Sequence, residues 1–279
     1  MKKIGFLALS ALALAACGNG DEQRAQVYLD QARQAYEQGR YSEAKLQIDS
    51  VKILYPKAFK VRDAGIGLMQ QVELKEQQQT LAFLDSMLLV KQQEFEAVQA
   101  KYVLEKDTAY QEIGNYFYPS QTVEKNINRS FLRVQVDERG QMTLTSIYCG
   151  TRNIHHYAVK VKVADGSFAE TPASKDVYET TDLGVRTEKA DYKLGEDGNV
   201  IGFIALNKDR NITLEYIGDR TYRTSVSAAD RKAIAEVYAL AQILGAREEI
   251  RKQIRETNLK IDFVTRKIQE REAARSEQS

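Results

Sequence analysis

The sequence predicts an α+β protein in which helical segments enclose an all-β region. Two heptad patterns, one in the first half of the chain and one near its end, predict long helices. Between Asn126 and Val226 the apolar period changes to two, which is typical of strands. Only 3 prolines occur in 279 residues, which favours uninterrupted helices. An all-β domain inserted between two antiparallel helices accounts for these observations.

The composition is that of a globular protein without a dominant charge. Hydrophobic residues make up 43% of the chain and charged residues 28%, which excludes both a wholly disordered chain and a polytopic membrane protein. Lys and Arg number 40 against 39 Asp and Glu, so no basic field attracts nucleic acid. We therefore expect no nucleic-acid partner.

Residues 1–16 have the layout of a signal peptide. Lys2 and Lys3 precede an apolar run over Ile4–Ala16. That run is shorter than the ~20 residues that span a bilayer, and it suits the apolar part of a signal peptide. It ends in Leu-Ala-Ala directly before Cys17.

This segment resembles the signal peptide of bacterial lipoprotein precursors, in which such a lipobox ends in cysteine. The resemblance implies that Cys17 carries diacylglycerol and, after cleavage, palmitate, so that acyl chains anchor the protein in the outer membrane. An ordinary secretory signal with a chance cysteine is the alternative. If lipid occupies Cys17, Cys149 is the remaining thiol and no intrachain disulfide forms.

The predicted mature chain begins with a short polar tether, 17–23, followed by a helical region, 24–72. Asp21 and Glu22 in the tether loosely resemble the surface-export signal of Bacteroides-type lipoproteins, so the periplasmic face and the cell surface both stay open. The helical region has small and aromatic residues at spacings that resemble tetratricopeptide repeats. An ordinary helical hairpin with fortuitous spacing is the alternative. The residues that carry the resemblance are Ala32, Ala35, Gly39, Tyr41, Ala44, Ile48, Val51 and Pro56.

Two heptad segments predict a long coiled coil, whose helices span 73–112 and 227–272. Ser227, followed by Asp230, marks the start of the second helix, and a polar tail, 273–279, follows it. We expect the two helices to pair antiparallel within one chain, although pairing between two copies would cover the same apolar stripes. The heptad positions are Leu74, Leu81, Leu88, Phe95 and Tyr102, with Leu84 and Val98 in the complementary register, in the first helix, and Leu240, Ile254, Ile261 and Ile268, with Ile243, Ile250 and Val264 in the complementary register, in the second.

The segment 126–226 predicts seven or eight antiparallel strands in a sandwich or small barrel. Asp-Gly and Gly-Asp pairs separate short runs in which apolar and polar residues alternate. Val200–Leu206 is apolar on both faces and is expected to form a central strand. The alternating apolar residues are Leu132, Val134, Val136, Val159, Val161, Val163, Ile212, Leu214 and Tyr216.

One cluster joins the free thiol to the chain's 2 histidines. Cys149 and His155 are the weak candidates for a catalytic pair, because a thiolate needs a nearby imidazole to act as a nucleophile. Strand alternation predicts a half-buried His155 on the face of Val159 and a solvated His156. Since only one histidine can then meet the thiol, we expect neither a metal site nor a cofactor.

Tyr116, Phe117 and Tyr118 are the weak candidates for a ligand site, because exposed aromatic rings stack on sugars or anchor a partner. Packing at the junction with the β-domain is the alternative. Two carboxylates, Glu179 and Glu188, lie in polar, loop-like sequence without the spacing of a glycosidase pair.

These observations favour a non-enzymatic lipoprotein. Its organisation resembles that of uncharacterised Bacteroides-type lipoproteins, which implies a scaffold or protein-interaction module at the outer membrane, with a protein partner. A glycan- or peptide-binding module in nutrient capture is the second hypothesis. A hydrolase that uses Cys149 and His155 is the third.

Overall fold

The computed structural model describes residues 16–182, 184–193 and 195–277. Over these residues the chain combines helices with antiparallel sheets, so the predicted α+β class is confirmed. Residues 1–15 of the predicted signal peptide lie outside the described residues, as does the side chain of Cys17. The described residues divide into two compact units, 16–86 with 252–277 and 87–251.

The α-helices of the described residues are α1 (Ala16–Glu37), α2 (Tyr41–Leu54), α3 (Phe59–Val98), α4 (Val200–Leu206) and α5 (Ala228–Ser276). The strands are β1 (Val103–Glu105), β2 (Asn115–Phe117), β3 (Phe131–Asp137), β4 (Met142–Gly150), β5 (Ala158–Lys162), β6 (Phe168–Glu170), β7 (Asp176–Asp182), β8 (Val185–Lys193), β9 (Ile212–Ile217) and β10 (Tyr222–Val226).

Residues 17–23, the predicted tether, lie in the first turns of α1, so this helix begins before the predicted residue 24. Glu22 supplies a physical reason. Its carboxylate accepts hydrogen bonds from the backbone N–H groups of Lys60 at 3.2 Å and Val61 at 3.3 Å. Because the first N–H groups of a helix lack partners within that helix, Glu22 caps the start of α3 and holds α1 beside it.

The helices α1 and α2 pack through small side chains in the first unit. Ala32, Ala35 and Ala44 are fully buried, as their spacing predicts. Between the helices, Gly39 has a φ of 72°, a left-handed conformation that favours glycine. The hairpin therefore forms where it is predicted, while its resemblance to tetratricopeptide repeats remains a prediction.

A single helix, α3, replaces two predicted segments. The sequence predicts a boundary at 72 and a helix that continues to 112, but α3 runs without interruption from Phe59 to Val98. Tyr102 fits the heptad spacing but lies beyond the end of α3. Its hydroxyl donates a hydrogen bond to the backbone carbonyl of Glu236 in α5 at 2.9 Å. The residues that follow it form β1, so sheet pairing ends the pattern that heptad counting extended.

The heptad positions form the less exposed line along both long helices. In the first unit, Leu84 of α3 and Val264 of α5 are buried. In the second unit, Phe95 of α3 and Ile250 of α5 are buried. Neighbouring positions on the helices are mostly exposed, which agrees with one apolar stripe on each helix.

Within each unit, α3 and α5 contact one another in antiparallel order. In the first unit Asp63, near the start of α3, pairs with Arg271 and with Arg275 near the end of α5. In the second unit the guanidinium of Arg247 lies 4.5 Å from the ring centroid of Phe95. The finer packing of a coiled coil remains a prediction.

The predicted β-region contains eight of the strands, β3 to β10, and all strand pairs of the described residues are antiparallel. One sheet has the order β1-β2-β3-β4-β8-β7 and the other has the order β10-β9-β5-β6. The sheet begins earlier than the predicted 126, because β1 and β2 come from the segment that was expected to end the long helix. Both sheets contribute to one core, and α4 and α5 contribute to it as well.

The predicted central strand Val200–Leu206 is the helix α4, so this prediction is wrong. Val200, Ile201 and Ile204 are buried at the spacing of a helix. Because nearly every position of this run is apolar, its sequence does not distinguish a helix from a strand. Asp197 starts the helix, because its Oδ2 accepts a hydrogen bond from the N–H of Ile201 at 2.9 Å.

The predicted start of the C-terminal helix is confirmed. The hydroxyl of Ser227 accepts a hydrogen bond from the backbone N–H of Asp230 at 3.1 Å, and it donates one to the carboxylate of Asp230 at 2.6 Å. These bonds satisfy an N–H group that has no partner within the helix. The helix continues to Ser276, so the polar tail predicted for 273–279 begins inside it.

Candidate functional site

The two histidines lie in the loop between β4 and β5, and Glu188 of β8 holds that loop. The carboxylate of Glu188 accepts hydrogen bonds from the backbone N–H groups of Ile154 at 2.7 Å, His155 at 3.1 Å and His156 at 2.9 Å. Three consecutive N–H groups therefore converge on one buried carboxylate. This arrangement fixes the positions of both imidazole rings.

The predicted exposure of the two histidines is reversed. The side chain of His155 is 53% exposed, whereas His156 is fully buried. The reason is local. His155 has a φ of 50° and β5 begins only at Ala158, so strand alternation does not extend back to the histidines.

Ser146, His156 and Glu188 form a fully buried hydrogen-bonded chain. The Ser146 hydroxyl lies 2.8 Å from His156 Nε2, and His156 Nδ1 lies 3.1 Å from Glu188 Oε2. Burial lowers the pKa of His156. Burial alone would raise the pKa of Glu188, but the backbone N–H groups and His156 together lower it. The pair therefore holds a neutral imidazole beside an ionised carboxylate.

The order of these contacts is that of a hydrolase triad, but the environment is that of a structural network. Ser146 lies within β4. Its hydroxyl oxygen is 3.4 Å from the backbone carbonyl oxygen of Ala190. None of the three side chains has exposed surface. A nucleophile must reach a substrate, so we interpret this network as the support that shapes the loop.

Within the described residues, no hydrogen bond joins Cys149 and His155, the predicted catalytic pair. The Cys149 sulfur lies 3.5 Å from the hydroxyl of Thr187, its cross-strand partner. Cys149 also points to the opposite face of β4 from Ser146, and therefore away from His156. The His155 ring is instead hydrogen-bonded to the carboxylate of Glu179.

His155, Glu179 and Glu188 bring three potential ligand atoms to within 4.8 Å of one another. His155 Nδ1 lies 2.7 Å from Glu179 Oε1, and that hydrogen bond raises the pKa of His155. The amide of Asn153 donates a hydrogen bond to Glu179 Oε2 at 2.8 Å. Glu179 and Glu188 are direct partners across β7 and β8. The sequence does not predict this cluster, because Glu179 and Glu188 lie in polar, loop-like sequence that gives no sign of their pairing across two strands.

The aromatic candidates pack inside the second unit rather than lining a ligand site together. The ring of Tyr116 lies 5.9 Å from that of Phe95, and the ring of Tyr118 lies 6.3 Å from that of Tyr102. Phe117 is buried, with the guanidinium of Arg133 at 4.2 Å from its ring centroid. These contacts favour the interpretation of junction packing.

A groove of about 380 Å³ lies between α2 and α3 in the first unit. Apolar side chains, the surface of Gly65 and charged side chains of both signs line it. Helical periodicity predicts both walls of the groove, but it does not specify which part of a helix surface stays uncovered, so the sequence alone does not predict this groove. The groove is lined by Ile48, Asp49, Val51, Lys52, Arg62, Gly65, Ile66, Met69, Gln70 and Glu73.

Comparison of the chain with protein-family models, with curated proteins and with solved structures finds no match. Among the described residues, none of the helices is both long enough and apolar enough to cross a bilayer. The function is therefore inferred from the chain's own residues.

Proposed function

We propose that this chain is a lipid-anchored, non-enzymatic protein of the bacterial outer membrane, and that it docks a protein partner in the groove between α2 and α3. The lipobox-like sequence before Cys17 supports the anchor. The groove is the single observation that carries the docking function, since apolar concave surfaces with polar rims are typical binding sites.

The charges of the groove define the partner's chemistry. Lys52, in the last turn of α2, and Arg62, in the first turns of α3, lie at the end next to the loop that connects these helices. Glu73 lies three turns further along α3. An apolar segment that carries a carboxylate at one end and a basic group at the other complements this arrangement in one direction only.

Gln70, one of the residues that line the groove, also offers a hydrogen-bond acceptor. The side-chain oxygen of Gln70 is buried, and it has no hydrogen-bond partner among the described residues. A donor from the bound segment would satisfy this oxygen, and a partner without such a donor would leave it unpaired at a free-energy cost of about 1–3 kcal/mol. This acceptor favours a peptide segment over a purely apolar ligand such as an acyl chain.

In this proposal the docking site lies on the helices that follow Cys17 directly in the sequence. A tetratricopeptide-like hairpin carries the groove, and an antiparallel coiled coil of α3 and α5 acts as a spacer at ~1.5 Å per residue. Pairing of two copies through the same heptad stripes is the alternative arrangement. The packed aromatic residues give the glycan-binding hypothesis less support, and the separate contacts of Cys149 and His155 give the hydrolase hypothesis less support.

Site-specific photocrosslinking in bacterial membranes tests the docking function. A photoreactive residue at Ile66, which lines the groove and is 52% exposed, should give one crosslinked partner species. The same residue at Ile53, which is 73% exposed on α2 and lies outside the groove, is the matched control. Met69→Glu should remove the Ile66 crosslink by placing a charge among apolar groups.

The docking proposal fails if the positions at Ile66 and Ile53 give the same crosslinked species, or if Met69→Glu leaves the Ile66 crosslink unchanged. Circular dichroism of each variant shows whether the helices remain folded. A crosslinked product with the mass of two copies of this chain would replace the proposed partner by a homodimer.

A further inference from the structure

The exposed histidine of the β4–β5 loop lies in a field of carboxylates. Glu179 and Glu188 are direct cross-strand partners, and like charges in such a pair destabilise a sheet. Asp219 adds a third negative charge, which favours the protonated form of His155 and so raises its pKa. The cluster therefore sets three carboxylates against a single imidazole ring.

The geometry of this cluster matches that of metal ligands. Bonds of about 2.0–2.2 Å from one ion to nitrogen and oxygen place two such ligands roughly 3 Å apart. His155 Nδ1 and Glu179 Oε1 lie 2.7 Å apart, so a metal ion can replace the proton between them after a small outward movement. Their side chains are 53% and 31% exposed, which gives an ion access from solvent.

Glu188 has a different part in the cluster. Its two oxygens accept four hydrogen bonds, three from backbone N–H groups and one from His156. Since a carboxylate offers about four lone-pair positions, Glu188 is already saturated. It contributes a fixed negative charge and leaves the direct metal bonds to His155 and Glu179.

We propose that His155 Nδ1 and the carboxylate of Glu179 bind a divalent transition-metal ion of the zinc class, with water molecules in the remaining positions and Glu188 as the adjacent fixed charge. Asn153 orients Glu179 through its hydrogen bond to Oε2, as partners of ligating carboxylates do. Binding requires His155 Nδ1 without its proton, because a ligating imidazole must be neutral.

The donor set selects among cations. Mg²⁺ and Ca²⁺ prefer shells made of oxygen, whereas imidazole nitrogen suits zinc, copper and nickel. A ligand pair of one nitrogen and one carboxylate therefore favours Zn²⁺ over a large excess of Mg²⁺. The sequence has 2 histidines, and His156 is buried. Zinc binding through an accessible imidazole can therefore be assigned to His155.

The experiment is a titration of the full chain, prepared without a histidine tag, with Zn²⁺ in the presence of excess Mg²⁺. Calorimetry should give one equivalent of Zn²⁺ per chain, and both His155→Gln and Glu179→Gln should weaken binding at least tenfold. Asp176→Asn, an exposed carboxylate change on the same strand, is the matched control and should leave the affinity unchanged. In histidine-selective NMR spectra, the resonance of His155 should move with added Zn²⁺ and that of His156 should stay.

The proposal is overturned by the absence of saturable binding in the wild-type chain. It is also overturned if either Gln variant binds Zn²⁺ as tightly as the wild-type chain, or if Asp176→Asn weakens binding as much as they do. Unfolding curves of the two Gln variants separate loss of a ligand from loss of the fold.

Discussion

Glu188 is the residue on which the loop of the candidate metal cluster depends. It is fully buried, and it joins β8 to three successive backbone N–H groups of the loop and to the ring of His156. Removing a partner from a buried, charged hydrogen-bond network leaves the remaining groups without compensation. The negative charge of Glu188 therefore has a structural role, and in the proposed metal site it would also attract the ion.

Glu188→Gln should lower the free energy of unfolding by about 3 kcal/mol, because one amide cannot accept all four hydrogen bonds. Glu170→Gln is the control, since Glu170 lies on the surface in an ion pair with Lys160. That change should cost less than about 0.5 kcal/mol. Urea denaturation followed by circular dichroism measures both values. Equal effects of the two substitutions would contradict the structural role of Glu188.

Glu138 gives the clearest dependence of stability on pH. The backbone N–H of Gly114 and the ammonium of Lys106 hold its pKa below the ordinary 4.5. A carboxyl whose pKa is lower in the folded state stabilises the fold above its unfolded pKa, and this contribution disappears as the pH falls through the folded pKa. Glu138→Gln should therefore cost about 0.5–1 kcal/mol at pH 7, after discounting for solvent screening.

Measuring the unfolding free energies of wild type and Glu138→Gln in acid tests this explanation. The difference between wild type and Glu138→Gln should shrink towards zero as the pH falls well below 4.5, where both side chains are neutral. A difference that stays constant over this range would mean that the amide disrupts packing rather than removing a charge.

At the scale of elements, the turn between β3 and β4 fixes the sheet against α5. Gly140 in this turn has a φ of 86°, and a Cβ atom there would lie 2.2 Å from the backbone nitrogen of Gly245 in α5. Backbone atoms of a helix cannot move aside as a flexible side chain can. The two glycines therefore permit a close approach that no larger residue at position 140 allows.

Gly140→Ala should destabilise the second unit by more than about 2 kcal/mol, through backbone strain and a steric clash together. Gly166→Ala separates these terms, because Gly166 has a φ of 94° and an added Cβ would meet nothing within 4 Å. That control should cost only the conformational strain, about 1 kcal/mol. If thermal denaturation gives the same loss for both variants, the close approach between turn and helix is not as described.

Periodicity predicts elements well wherever one face is buried along the whole element. The alternating residues of β3, β5 and β9 are buried as expected, and the heptad positions of α3 and α5 are the less exposed ones. Periodicity does not decide the structure where nearly every position is apolar, as at Val200–Leu206. It also does not show a contact between residues that are distant in sequence, such as the cap that Glu22 places on the start of α3.

The candidate site is predicted less well than the fold. The sequence identifies His155, but its assignment to a strand face fails because its positive φ interrupts the alternation. Glu179 and Glu188 become partners only through the register of β7 and β8, which a single sequence does not specify. Contacts between residues that are distant in sequence are therefore the part of the site that the structure adds.

At the scale of the whole molecule, the proposed function joins a lipid anchor at Cys17 to a folded body that binds a partner. The 40 basic and 39 acidic residues nearly balance, so no net charge draws the protein to anionic lipids, and in this proposal the acyl chains supply the attachment. The groove between α2 and α3 is the proposed partner site, and the cluster around His155 is a separate, proposed metal site.

The most direct test of this account measures incorporation of labelled palmitate into the chain in bacterial cells. The wild-type chain should carry the label and should sediment with the outer membrane, whereas Cys17→Ser should lose the label and leave the membrane fraction. Equal labelling of both proteins, or no label in the wild-type chain, would contradict a lipid anchor at Cys17 and with it the proposed scaffold at the outer membrane.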